Sequence, residues 1–131
     1  MTDQVTYRME LSVEDGPSIV LNDHFDAEGY DKIEAVIPKD SAVTTVNVQP
    51  SLLTQLQAIM IIAERYEDLT YTVDEGITPF TLDGPLLLVG PGNIGMLGIT
   101  VNDLVFTNAD ALVDNMVTIL VARTAIEPEG N

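Results

Sequence analysis

The stretch Leu52-Leu53-Thr54-Gln55-Leu56-Gln57-Ala58-Ile59-Met60-Ile61-Ile62-Ala63-Glu64 decides the fold class. Leu52, Leu56, Ile59 and Ala63 fall at helical spacing, whereas Gln55 and Gln57 followed by the apolar run from Ala58 to Ile62 suit a strand. The setting favours the strand. Arg65-Tyr66-Glu67-Asp68 reads as a polar turn, and beyond it Leu69, Tyr71 and Val73 alternate with Thr70, Thr72 and Asp74, as in the second arm of a hairpin. Asp74-Glu75-Gly76 ends that arm.

Toward the N-terminus, Val5, Tyr7, Met9, Leu11 and Val13 alternate with Thr6, Arg8, Glu10 and Ser12, which predicts a half-buried strand. Asp15-Gly16-Pro17 breaks it, and Ile19 to Leu21 reads as a short second strand. Asn22 to Gly29 is expected to be an acidic loop. Lys32 to Pro38 and Ala42 to Gln49, the latter stopped by Pro50, read as strands. Toward the C-terminus, extended segments are expected at Phe80 to Leu82, Leu86 to Val89 and Ile94 to Val105, with a closing strand from Met116 to Arg123. Turn signals between short strands predict an all-β fold, a single antiparallel β-sandwich of jelly-roll type, rather than βαβ units. No repeat or low-complexity linker divides the chain, so residues 1–131 are expected to form one domain with short flexible termini at about 1–3 and 126–131.

Composition narrows the function classes. The 131 residues are 46% hydrophobic and 20% charged, too apolar for a disordered acidic tail. With 21 acidic and 5 basic side chains the formal charge is -16, which repels phosphate and disfavours nucleic acid and anionic membrane as partners. Ten of the acids precede Thr45, so a partner of that region should be cationic, neutral or well solvated. The longest apolar runs, Ala58 to Ala63 and Pro85 to Val89, fall far short of the roughly 20 residues a membrane-spanning helix needs. Met1-Thr2-Asp3-Gln4 has no signal-peptide character, and the lack of cysteine fits a reducing compartment, so synthesis in the cytosol is the expectation.

Gly90-Pro91-Gly92-Asn93-Ile94-Gly95 spells the dinucleotide fingerprint, with Asp110 twenty residues after Gly90. The fingerprint works only where its last glycine opens a helix whose amides hold a pyrophosphate. Met96-Leu97-Gly98-Ile99-Thr100-Val101 is a poor helix, so a turn or close backbone approach is the preferred reading. Asp23-His24-Phe25-Asp26-Ala27-Glu28-Gly29-Tyr30-Asp31 is dense in oxygen ligands. Counted from Asp23, an EF-hand would need a ligand where Phe25 stands and glycine where Glu28 stands. A solvated acidic loop is preferred, with calcium binding by residues 22–31 as the alternative. Nucleophilic catalysis lacks cysteine, His24 is the single imidazole, and Ser12, Ser18, Ser41 and Ser51 have no elbow motif. Among 21 acids a carboxylate pair is expected by chance. Aromatic residues make up 5% without tryptophan, poor material for a sugar platform, and Tyr7, Tyr71, Phe80 and Phe106 read as packing residues. No catalytic, cofactor-binding or metal residue is assigned, and no enzyme is expected.

Between about Val46 and Ala125 four stretches carry a resemblance: Val48-Gln49-Pro50; Arg65-Tyr66 through Leu69-Thr70-Tyr71-Thr72-Val73; Leu82-Asp83-Gly84-Pro85; and Leu104-Val105-Phe106-Thr107-Asn108 with Val117-Thr118-Ile119-Leu120-Val121-Ala122-Arg123. The pattern resembles small β-sandwich structural proteins of tailed-phage particles. That resemblance implies a non-enzymatic virion component, a capsid decoration or cement protein made in the host cytoplasm. Its implied partners are copies of itself, as a homo-oligomer and by analogy a trimer, and other virion proteins such as the major capsid protein. The residues are compatible, since 46% apolar content supplies a core and a symmetric contact patch. A calcium- or glycan-binding β-sandwich module is the alternative.

Overall fold

A computed structural model describes residues 3–48, 54–74, 76–97 and 101–125. The expected stop at Pro50, the start of the deciding stretch at Leu52, part of the Asp74-Glu75-Gly76 turn, the segment from Gly98 to Thr100 and the tail 126–131 lie outside these residues. The described chain is built almost wholly of antiparallel strands. β1 (Asp3–Ser12) and β2 (Ser18–Ala27) form a two-stranded ribbon. Eight more strands follow, β3 (Gly29–Ile37), β4 (Ala42–Asn47), β5 (Thr54–Ala63), β6 (Leu69–Val73), β7 (Phe80–Thr81), β8 (Leu86–Val89), β9 (Asp103–Asn108) and β10 (Asn115–Ala125), with one helical turn, α1 (Pro91–Ile94), between β8 and β9.

These eight strands form two sheets in the orders β3-β10-β5-β8 and β4-β9-β6-β7. Four of the pairs are nested about the β6–β7 turn: β6 with β7, β5 with β8, β4 with β9 and β3 with β10. From β3 to β10 the chain is thus one long hairpin rolled up on itself, and rolling adds the pairs β5–β10 and β6–β9. The result is the double-sheet jelly roll that the turn spacing predicts. The deciding stretch is a strand, β5, as read. It is not the partner of β6: the two lie in different sheets, so the segment 64–68 is a corner and not a hairpin turn. Asn115, buried at the start of β10, holds that corner by donating from Nδ2 to the Arg65 carbonyl (2.8 Å) and accepting the Arg65 amide at Oδ1 (3.3 Å).

Inward-facing residues of both sheets make the core. Ile59, Ile61, Val117, Ile119 and Val121 from one sheet meet Leu69, Tyr71, Leu104 and Phe106 from the other, all buried. Each such large aliphatic side chain contributes roughly 1.5–3 kcal/mol on burial. Tyr71 stacks on Phe80 of β7, centroids 5.4 Å apart, and tilts against Phe106 of β9 at 5.8 Å. Tyr71, Phe80 and Phe106 are therefore packing residues, as expected. Opposite one end of the core, buried Asn108 donates from Nδ2 to the carbonyls of Ile37 (3.2 Å) and Val113 (3.0 Å) and accepts the Asp110 amide (3.1 Å). It supplies partners to loop groups that would otherwise be orphaned beside the core.

Other expectations need correction. The predicted acidic loop from Asn22 to Gly29 is strand: β2 runs to Ala27 and β3 begins at Gly29. Asp26 and His24 project from the polar side of the ribbon and Asp23 from the other, all three exposed, so charge density there does not signal a loop. The segment from Ile94 to Val105 is not one strand. Ile94 ends α1 and is buried in the core, and β9 starts only at Asp103. Gly90 makes the turn possible with φ 97°, a conformation side chains disfavour, and Pro91 suits the first helical position.

Candidate functional site

The fingerprint-like Gly90–Gly95 has no helix to offer an anion. α1 is a single turn of four residues, Gly95 closes it instead of opening it, and both flanking sheets are antiparallel. Asn93 Nδ2 bonds the Val89 carbonyl (2.7 Å) and the Gly90 amide bonds the Gln57 carbonyl (2.8 Å), so the motif clips β8 to β5 while Ile94 plugs the core. His24 lies opposite Thr6 on the exposed polar face of the ribbon. Among the described residues no three metal-ligating side chains gather at one point. Ser12, Ser18 and Ser41 lie on the ribbon or in a turn, away from His24 or without a base beside them, and Ser51 lies outside the described residues.

Charged side chains with defined partners brace loops. Arg123 on β10 donates to the Val48 carbonyl (3.1 Å) and pairs with Asp31 across β3, tying the two sheets together at one edge. Asp110 accepts the amides of Leu112 (2.7 Å) and Val113 (3.1 Å) and faces Arg65 at 3.5 Å. The Leu112 amide foremost holds its carboxyl below the usual range; burial opposes it, and the Val113 amide and the Arg65 guanidinium add smaller lowering effects. Burial pushes the Tyr71 phenol up.

What remains is apolar surface. In the ribbon's register Val5 faces Phe25, Met9 faces Leu21 and Leu11 faces Ile19, so one face is apolar and the other, with Thr6, Arg8, Asn22 and His24, is polar. The apolar face is covered only at its base. There Val5, Tyr7 and Phe25 lie over Ala58, Met60, Leu87 and Leu120 on the outer face of the β3-β10-β5-β8 sheet, leaving an apolar groove of about 220 Å³ between ribbon and sheet. Beyond the base the ribbon stands clear: Leu11 is 76% exposed, Ile19 75% and Val13 60%, with Met9 and Leu21 also open. The expectation that β1 is half-buried therefore holds for Val5 and Tyr7 and fails for Leu11.

The sheet beneath is apolar on both faces. Ile59, Ile61, Ile119 and Val121 point into the core, while Met60, Ile62 and Leu120 point outward and are exposed, as is Val36 on β3. Sequence reasoning missed this second face. Its signal was present in the unbroken apolar runs Ala58-Ile59-Met60-Ile61-Ile62 and Ile119-Leu120-Val121-Ala122, since strands covered on both sides lose their alternation. No family model, curated protein or solved structure matches the chain.

Proposed function

We propose that this chain is a non-enzymatic structural protein of a virion, a capsid decoration or cement protein of the tailed-phage kind, which works by burying surface against neighbouring subunits. Its partners in this reading are further copies of itself and other virion proteins such as the major capsid protein. It is made in the host cytoplasm and resides in the particle. The observation that carries the reading is the open apolar surface on the ribbon and on the outer sheet face, contiguous apolar patches of the kind that mark interaction sites. Support also comes from the architecture, because jelly rolls recur among viral capsid domains, although lectins and cupins share them. The calcium alternative loses its main support, since residues 22–31 form paired strands instead of a ligand loop.

Light scattering during size-exclusion chromatography should give a mass that is a multiple of 14.2 kDa, and mass spectrometry of purified particles from the source should find the chain in fixed stoichiometry with the shell protein. A monomer absent from particles overturns the proposal. Trimeric symmetry, taken from the family analogy, is read from the same mass.

A further inference from the structure

The outer face of the β3-β10-β5-β8 sheet meets two lengths of the same ribbon face differently. Its Ala58 side is covered by the chain's own Val5, Tyr7 and Phe25, and its Val36 and Ile62 side is bare. The ribbon carries the matching surplus: the alternating row that begins with Val5 and Tyr7 continues through Met9 to Leu11 and Val13, which are exposed. Within one chain, then, this ribbon face already sits on this sheet face, and each has an unused remainder of the same chemistry.

We infer that the distal half of the β1–β2 ribbon docks on the bare part of the outer β3-β10-β5-β8 sheet face of a second copy of the chain, Leu11 and Ile19 seating beside Val36 and Ile62. The self-association in the proposed function is what this docking rests on, and it gives that association a surface.

Charge favours a second copy in this position. At -16, two copies repel unless they meet where acids are scarce. The ribbon's apolar face includes two carboxylates, Asp3 at its base and Asp23, and the sheet's outer face includes Glu34, which is itself paired with Lys32 at 3.6 Å. The ribbon tip ends in Glu14 and Asp15, whereas Lys39 lies just beyond β3 on the bare side of the sheet, with Lys32 on β3 already offset by Glu34. Area sets the strength of the contact. The open parts of the ribbon row and of the sheet patch together amount to on the order of 900 Å², at the lower bound of ~1,000 Å² for a specific interface, so each single contact is weak and each copy would make it twice, once as donor and once as receiver. Ribbon and sheet face are different surfaces, so the contact runs one way and builds a ring where its rotation closes, or is exchanged reciprocally within a two-fold dimer.

The test uses the whole chain. Leu11→Asp with Ile19→Asp on the ribbon, and separately Ile62→Asp on the sheet, should each weaken association on the order of a hundredfold by placing unpaired carboxylates in an apolar contact. Both sites are exposed in the single chain, so an unchanged circular dichroism spectrum and melting midpoint will verify folding. The chain has no cysteine, so Leu11→Cys can be labelled at that one thiol with a benzophenone maleimide and photo-cross-linked to an isotope-labelled copy. Cross-links between copies should fall on residues 30–36, 58–63 or 116–122. A monomer at 100 μM, or cross-links confined to ribbon against ribbon or to the other sheet, overturns the docking. A chain that joins particles yet cross-links only to another virion protein overturns the docking and leaves the virion reading intact. Rings or dimers formed by the ribbon without any binding to particles would do the reverse.

Discussion

Ile119 on β10 and Ile19 on β2 sit in strands of similar length, yet the first is fully buried and the second is 75% exposed. In the jelly roll the inward residues of each sheet face the opposing sheet, and successive nested pairs alternate between the two sheets. The ribbon has two strands, a cover only at its base and solvent along the rest. Alternation in sequence therefore specifies which face is apolar without specifying what covers it. A free two-stranded ribbon is marginal in water, so among the described strands the distal ribbon is the one least supported by the rest of the chain.

The largest effect should come from the closed region. Phe106→Ala removes a fully buried ring that touches Tyr71 and leaves a cavity between the sheets, at a cost of about 3–5 kcal/mol in urea denaturation at neutral pH. A loss under 1 kcal/mol would mean that the sheets are not packed as described. Next in size is Asn108→Ala. It strips hydrogen bonds from the Ile37 and Val113 carbonyls and the Asp110 amide beside the core, and should cost roughly 1–3 kcal/mol.

These corner residues also explain what could be read in advance. The strand identity of β5 was legible because residues 65–74 imposed an extended setting on Leu56 to Ala63. Its partner was not, because a polar corner that carries the chain to the opposite sheet has the same local composition as a hairpin turn. Asn115 distinguishes the two, and it reaches Arg65 across a separation of 50 residues that no local pattern reports. The short α1 escaped for a different reason: four residues held by Gly90, Pro91 and Asn93 are below the length at which helical periodicity can register. The apolar ribbon was legible as an alternating strand, but its exposure depends on the size of the sheet below it. Charge misled at Asn22 to Gly29, where a strand solvated on its polar face reads like a loop.

pH separates the closed region's two titrating groups. Asp110 ionises more readily folded than unfolded, so its contribution is present at neutral pH and is lost as pH falls below the ordinary carboxylate range through its lowered folded value. Asp110→Asn should remove part of the acid-side loss of melting temperature while leaving the ribbon's association unchanged. Tyr71 behaves in the opposite sense. Its phenol is held neutral by burial, so stability is full below the ordinary tyrosine pKa of about 10 and falls as pH rises through and beyond it, because the unfolded chain ionises first. Tyr71→Phe should keep the neutral-pH melting midpoint within a few degrees and flatten the alkaline decline.

The smallest effect on the single chain, and the sharpest use of the comparison, is Leu11→Ala. A 76% exposed leucine gives up little by truncation, so dilute protein should unfold within about 0.5 kcal/mol of the parent. Concentrated protein should differ. If Leu11 lies under a neighbour, association weakens, and raising NaCl from 0.05 to 0.5 M restores part of it by screening the repulsion between chains of charge -16. Hydrogen exchange gives the same contrast residue by residue: amides of Met9 to Leu11 and Ile19 to Leu21 should exchange far faster than those of Ile59 to Ile61 in dilute protein, and slow on association. Equal protection of ribbon tip and β5 at every concentration would show that the ribbon needs no partner, and the distinction between the two regions would fall.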